Sequence, residues 1–415
     1  MASTRQSYLV VGREATTATA VKPTHPLRYK SGDIQYNLEV IANNPIQGVR
    51  WGAINAVDGK VTTDGTYEND LDYNDGVHFI SAALGSMVSA DISSATDGSV
   101  YSHTINTNTS LPSLTIEQGK GNLDSTANNL QNYEVSRAFG VLVDKFTLEG
   151  SDGVMAMNVD VKAHGVFNKA DLISDATAGS SVDIELNTVA GLTTSDTVNI
   201  YDTTPQNETD AVAAIGASPA NTIQIATLGN SYTVANGAKV ELVPQTPSYS
   251  TAALVASFTH ASFQFGDTAV AAASAAEENI EDWSFEYMNN LEERFGSLRS
   301  TPSVIAPKAA EAKLTFTKYF ENVTDRDRYL DQTPKYGILT VTNNEIISAT
   351  DTNQAKYQMQ ITMNKVIFTT YDMPTGTDDL YAASIEADLF YNETDGKALQ
   401  IVFQNGNAGT VYTTA

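Results

Sequence analysis

Residues 139–167 read FGVLVDKFTLEGSDGVMAMNVDVKAHGVF. Val141, Val143, Phe146 and Leu148 lead into the polar turn Glu149-Gly150-Ser151-Asp152-Gly153, and Val154, Met155, Met157, Val159 and Val161 return from it. On the return arm Met155, Met157, Val159 and Val161 alternate with Ala156, Asn158, Asp160 and Lys162. A period of two puts one set on a buried face and the other on the opposite face. Two such runs joined by a Gly/Asp/Ser turn make a β-hairpin. Arms of about ten residues are long for a globular protein. A ribbon of that length leaves backbone donors and acceptors open unless other strands pair with it. The hairpin therefore predicts a larger sheet, one shared between chains.

A second hairpin of the same kind follows much later, with arms over 357–370 and 380–391 around Pro374-Thr-Gly-Thr-Asp-Asp. Between and around the two, alternation predicts strands over 33–41, 100–107, 112–118, 258–265, 312–320, 336–342 and 399–403. Trp283, Phe285 and Tyr287 at a spacing of two make 281–288 a strand rather than a helix. Residues 1–30, rich in Ser, Thr and Ala, read as an extended arm with one short strand over 8–11, either docked on a neighbour or frayed. Residues 51–75 are polar and acidic and read as a loop, followed by a helix over 77–87 that Gly85 ends or kinks. Asp70, Asp72 and Asn74 resemble the start of a calcium loop, but Asp75 and Ser81 stand where that pattern needs Gly and Glu. Residues 269–276 form an Ala-rich connector, and 324–331 a short helix with a threonine N-cap.

Composition shifts at Asn168. Residues 169–247 are small, Thr/Ala/Asn-rich and weakly apolar, with short strands over 182–186, 197–201, 222–226, 231–234 and 239–243, one helical turn over 210–215, and a hairpin turn at Asn236-Gly237. That spacing predicts a small inserted β-barrel or sandwich. The flanking parts repeat one order: strand 33–41 answers 281–288, loop 52–76 answers 297–311, helix 77–87 answers 324–331, strand 112–118 answers 336–342, and hairpin 139–167 answers 360–391. The fold class is thus all-β with short helices, built from duplicated sandwich or barrel modules. It divides into an arm (1–30), a first module (31–168), an inserted β domain (169–247) and a second module (248–415). One chain then offers two similar sheet edges, and three chains close a ring of six modules with no free edge.

The chain has 415 residues, enough for two or three domains. It has no cysteine, which excludes disulfides, thiolate metal sites and cysteine nucleophiles. Its five histidines, His25, His78, His103, His164 and His260, include no pair at the spacing of a helical zinc site. There is no run of 18 apolar residues, hence no transmembrane helix. The N-terminus lacks a basic region before an apolar one and reads as unprocessed. A formal net charge of −25, from 49 acidic and 24 basic residues, argues against a groove that grips nucleic acid. Two readings account for it: a surface that repels nucleic acid, and a high-salt host. No Gly-x-Ser-x-Gly elbow or phosphate loop is present; Ser102-His103 and His260-Ala-Ser262 are adjacent only in sequence, which does not make a triad, and Glu277-Glu278 and Asp378-Asp379 read as turn or helix-start charges rather than glycosidase acids. No cofactor is implied. Asn207, Asn322 and Asn392 begin N-x-Thr sequons.

The chain resembles the major tail tube proteins of long-tailed phages and tailed viruses. The likeness rests on Ala83-Leu84-Gly85 closing a small helix, on Leu114-Thr-Ile-Glu117 followed by 139–148 and the return strand 155–165, and on Ser303-Val-Ile through Phe320-Glu-Asn before the second hairpin. It covers most of 30–167 and 250–405. The arm before residue 30 departs from it. The resemblance implies a structural virion protein, not an enzyme, whose hairpins build an inter-subunit β-barrel. Trimeric pseudo-hexameric or hexameric rings then stack into a tail tube assembled in the host cytoplasm. The 169–247 insertion looks like the outward barrel-like or immunoglobulin-like decoration of some members. Tape measure, tail terminator and tail tip proteins are the implied partners, and viral DNA passes through without specific binding. Acids lining such a channel share one strand parity, opposite to the core face. Asp144, Asp160, Glu386 and Asp388 are the candidates, Asp144 differing in phase from its neighbours. Competing readings are a carbohydrate-binding or adhesive surface protein using the 169–247 module, and a β-rich hydrolase.

Overall fold

The computed structural model describes residues 7–43, 55–94, 99–121, 133–204, 206–216, 221–250, 254–297, 299–373 and 381–413. The turn 374–379 of the second hairpin lies outside the described residues. The chain begins with β1 (Tyr8–Arg13), β2 (His25–Leu27), β3 (Ser31–Asn43), β4 (Asn55–Asp70) and α1 (Gly76–Leu84). It continues through β5 (Gly85–Asp91), β6 (Tyr101–Thr107), β7 (Leu114–Gly121), β8 (Tyr133–Gly150), β9 (Ala156–Lys162) and β10 (Gly165–Phe167). The central stretch holds β11 (Lys169–Asp171), β12 (Gly179–Glu185), β13 (Thr197–Tyr201), β14 (Asn207–Gly216), β15 (Thr222–Leu228) and β16 (Lys239–Leu242). After it come β17 (Ala261–Gly266), α2 (Ala269–Ala273), β18 (Ile280–Met288), β19 (Glu292–Arg294), β20 (Val304–Ala306), β21 (Glu311–Tyr319) and α3 (Thr324–Asp331). The last elements are β22 (Lys335–Ile346), β23 (Lys356–Asp372), β24 (Ala382–Leu389), β25 (Leu399–Asn405) and α4 (Thr410–Thr413). The protein is mostly β-sheet with short helices, as the alternation predicts, and every ladder is antiparallel.

The quoted hairpin is β8–β9, with Lys145 opposite Asp160 and Leu148 opposite Met157. Both of its outer edges are covered within the chain. β9 pairs with β4, and the end of β8 pairs with β18. The expectation that this ribbon needs another chain is therefore corrected. Residues 55–70, read as loop, supply one of the missing strands, because Val61, Thr63 and Tyr67 bury one face while Asp64, Thr66 and Glu68 stay exposed. The second hairpin, β23–β24, is flanked by β21 on the β24 side. The N-terminal half of β23 is held between β22 and β25.

β8 is long because it serves two sheets. Its first half pairs with β7 and β10, its second with β9 and β18. The strand turns between them at Gly140, whose φ is +62° and whose space for a Cβ is closed by His164 at 2.8 Å. β23 divides in the same way between β22 and β25 on one side and β24 on the other. One apolar core runs between these sheets, from Leu9, Val141 and Phe146 through Trp283 and Phe316 to Phe368 and Phe403.

The short strand expected over 8–11 is β1, but it belongs to the main body and not to an extended arm. β1 pairs with β7 and β2, and Tyr8, Leu9, Val10 and Val11 are all buried. The helix predicted over 77–87 is nine residues long and stops where Gly85 takes φ +102°. A Cβ there would lie 2.7 Å from the Ser110 carbonyl oxygen, and the chain turns directly into β5. Two smaller expectations also change. α3 is preceded by Val323, and the Asn322 side chain, not a threonine, accepts from the Thr324 N–H at 2.9 Å. The Ala-rich connector contains α2, capped by the Thr268 hydroxyl accepting from Ala271.

β11 to β16 form a separate six-stranded sheet in the order β11-β16-β13-β14-β15-β12. It closes on itself: Asn187 N–H donates to the Asp171 carbonyl, Ile173 N–H to that of Glu185, and Leu172 bridges Leu186. Val198, Ile200, Val212, Ile223, Ile225 and Val240 fill its interior. Residues 210–215 are strand, not a helical turn, because they complete that wall. Asn236-Gly237 ends a 3-10 turn instead of a hairpin, and Tyr232 makes only an isolated bridge to Ala176. The barrel is tied to the main body by Arg137, which is 1 % exposed, as are the carboxylates on either side of it. Its guanidinium donates to Glu117 at 2.6 and 2.9 Å, to Asp196 at 2.5 and 2.9 Å, and to the Gly191 carbonyl at 3.1 Å.

Candidate functional site

Eight strands lie side by side in the order β3-β4-β9-β8-β18-β21-β24-β23. Alternation gives this sheet two chemically distinct faces. Tyr67, Val159, Phe146, Phe285, Phe316 and Ile385 point into the core and are buried. The intervening residues face outward and are mostly polar, with Ile367 beside Asp388 an exception. On β4 these are Asp64, Thr66 and Glu68; on β9, Asn158, Asp160 and Lys162; on β8, Lys145 and Glu149. On β18 they are Ser284 and Glu286; on β21, Lys313, Thr315 and Thr317; on β24, Ser384, Glu386 and Asp388; on β23, Thr370 and Asp372.

Each of the three lysines named on that face is paired with a carboxylate. Lys145 Nζ lies 2.6 Å from Glu286, Lys162 Nζ 3.2 Å from Asp144, and Lys313 Nζ 2.8 Å from Glu386. The Glu286 carboxylate raises the Lys145 ammonium above its usual pKa, and Glu386 does the same to Lys313. Reciprocally, the hydrogen bond from Lys313 holds Glu386 below the usual carboxylate range. These are partly exposed pairs, each contributing about 1 kcal/mol or less. Asp64, Glu68, Glu149, Asp160, Asp372 and Asp388 have no lysine of the face within ion-pair distance among the described residues. The named residues of the face thus carry more carboxylates than lysines, and Lys145, Lys162 and Lys313 are each held by a carboxylate.

Asp160, Glu386 and Asp388 all lie on this face with the parity expected of them. Asp160 accepts from the Thr66 hydroxyl at 2.7 Å. Asp388 stands opposite Lys313 of the neighbouring strand β21. Asp144 is different, and its odd phase has a cause: it is the extra residue of a bulge between Val143 and Lys145. Its carboxylate accepts from the Leu291 N–H at 2.7 Å and its carbonyl from the Asn289 N–H at 2.7 Å, so it fastens the segment after β18. Glu286 was missed as a site residue although the Trp283-Phe285-Tyr287 alternation already placed it opposite the core. Asp64 and Glu68 were hidden by the loop assignment of 51–75.

The acidic stretch around Asp70 to Asp75 is not a cation loop. Lys30 pairs with Asp70 at 2.5 Å, and Asp72 accepts from the backbone of Asn74, Asp75 and Leu254. Among the described residues no cluster of three or more His, Asp or Glu has the geometry to hold a metal, and no helix is long and apolar enough to cross a membrane.

The sheet ends in two strand edges that pair with no other strand among the described residues. One is β3, whose sole partner is β4; the other is the C-terminal part of β23 beyond Val366, which pairs only with β24. Beside the first edge Tyr36 is 52 % and Leu38 48 % exposed on the same face as buried Ile34. No protein-family model matches the chain, and no curated protein matches it.

Proposed function

We propose that the chain is a major tail tube protein, whose copies join through sheet edges into rings that stack as a conduit for viral DNA. The observation that carries this reading is the eight-stranded sheet itself. It has one buried face, one acidic face with paired lysines, and at each end an edge that no strand covers among the described residues. Its two halves, β3-β4-β9-β8 and β18-β21-β24-β23, have the same strand order, the same long strand shared between sheets, and a bulge at the same place in that strand. Such a repeat is what a duplicated tube module provides. The inserted barrel is then an outward decoration.

Three such sheets end to end at about 4.8 Å per strand make a wall about 115 Å around, or roughly 37 Å across between backbones before strand tilt widens it. A wall of that size rich in carboxylates repels phosphate, and lysines paired with carboxylates offer it little counter-charge. Viral DNA would pass without specific binding. Tape measure, terminator and tip proteins would be the remaining partners. Negative-stain microscopy tests the reading: rings or tubes about 100 Å wide with a central channel are expected. A chain that stays monomeric at every concentration and ionic strength, or that binds glycans without assembling, refutes it.

A further inference from the structure

The chain contains a worked example of how one four-strand half joins the next. β8 and β18 meet antiparallel, with Lys145 opposite Met288, Phe146 opposite Tyr287, Thr147 opposite Glu286 and Leu148 opposite Phe285. On the core side Phe146 stacks on Tyr287 with centroids 5.5 Å apart and planes 28° apart. On the polar side Lys145 reaches Glu286.

The two halves can be superposed residue by residue from their ladders. The bulge between Val143 and Lys145 matches the one between Phe368 and Thr370. Thr370, Tyr371, Asp372 and Met373 therefore occupy the positions of Lys145, Phe146, Thr147 and Leu148. Thr66 lies opposite Asp160 as Thr315 lies opposite Glu386, and these threonines face Asp33 and Ser284. Ile34, Gln35, Tyr36 and Asn37 therefore occupy the positions of Phe285, Glu286, Tyr287 and Met288. Both of these unpartnered edges carry residues fit for the same joint. Tyr36, 52 % exposed, stands where Tyr287 is 3 % exposed. Tyr371 and Met373 lie half-buried at the rim of the core.

We infer that the free edge of β3 pairs with the free edge of β23 from a second copy of this chain, in the register of the internal joint. Ile34 then lies opposite Met373, Gln35 opposite Asp372, Tyr36 opposite Tyr371 and Asn37 opposite Thr370. The inference rests on the ring-forming reading above and specifies its interface. The contact is heterologous, so it closes into a ring or runs on. It also differs chemically from the internal joint. Gln35 and Thr370 replace the charged Glu286 and Lys145, so Gln35 donates to Asp372 where the internal joint has an ion pair. An edge lacking that complementary charge discriminates against either half-joint swapping partners.

The chain has no cysteine, so engineered pairs report cleanly. Gln35 and Asp372 are both exposed in the single chain, and changing them leaves the core intact. In a Gln35→Cys/Asp372→Cys chain, mild oxidation during assembly is expected to give covalent multimers on a non-reducing gel. A Ser31→Cys/Asp372→Cys chain, displaced by four residues or about 13 Å along the strand, should give at least tenfold less. A Tyr36→Lys chain should elute as folded monomer and fail to assemble. Rings that form without the first crosslink, or with both crosslinks equally, overturn this register and leave the tube reading standing. Absence of both rings and crosslinks overturns both.

Discussion

Replacing Arg137 by Met is the most severe single change the structure predicts outside the apolar core. The guanidinium makes five hydrogen bonds to Glu117, Asp196 and Gly191, and none of the three charged side chains is more than 1 % exposed. Burial alone would lower the Arg137 pKa, yet the hydrogen bonds and fields of Asp196 and Glu117 outweigh it and raise it. Taking the cation away leaves two buried carboxylates. Glu117 keeps the Tyr8 hydroxyl at 2.6 Å and Asp196 keeps the Thr193 N–H at 2.6 Å, but neither keeps a counter-charge. An uncompensated buried charge costs about 3–5 kcal/mol. The loss is read from urea titrations at unchanged m. The triple variant Arg137→Met/Glu117→Gln/Asp196→Asn removes the charges together and should recover more than half of it, since whole buried networks are often nearly neutral to replace. A loss of less than about 1 kcal/mol in the single variant, or no recovery in the triple, refutes the assignment of this network as the tie between barrel and body.

Tyr287→Ala should cost about 3–5 kcal/mol by emptying a packed aromatic site, while Tyr36→Ala in the unassembled chain should cost less than about 0.5 kcal/mol; comparable losses would contradict the exposure of β3. Exchanging Lys145 for Gln should change stability by less than about 1 kcal/mol, because the pair with Glu286 is partly exposed, and the effect should shrink further in high salt. Burial beside His25 and Arg13 pushes His78 down to about 3, and His78 also packs against Tyr412. Between pH about 3 and 6.5 the folded chain thus binds fewer protons at this site than the unfolded one, so His78 makes stability rise with pH. His78→Gln should gain on the parent as pH falls through that window, by about 1.4 kcal/mol per pH unit. Burial and Asp72 raise Asp75 to about 6, which has the opposite sign: Asp75→Asn should gain on the parent as pH rises from about 4 to about 6. Parallel denaturation curves for parent and variants across pH check both signs.

The alternation in 139–167 and 281–288 was enough to find the strands whose two faces define the site, because Val141, Val143, Phe146 and Leu148 in one and Trp283, Phe285 and Tyr287 in the other are buried. Asp160, Glu386 and Asp388 followed from the same parity. Three things were illegible. Residues 55–70 contain few large apolar side chains, and their strand exists because β3 and β9 hold it from both sides. The bulge at Asp144 is set by the backbone of Asn289 and Leu291, which lie far off in sequence. The Arg137 network joins residues 20 and 59 positions apart, and nothing in local pattern marks Arg137 as buried.

β8 belongs to four ladders at once. No half of the main body can open without breaking it, and its first half also carries Arg137, the anchor of the barrel. Amide protons along β8 should exchange only through global unfolding, while those of the outer part of β3 exchange through local fraying. Mechanical load applied along the sheet would meet its stiffest point in the middle of the molecule and its most compliant points at the two ends, where one copy hands over to the next.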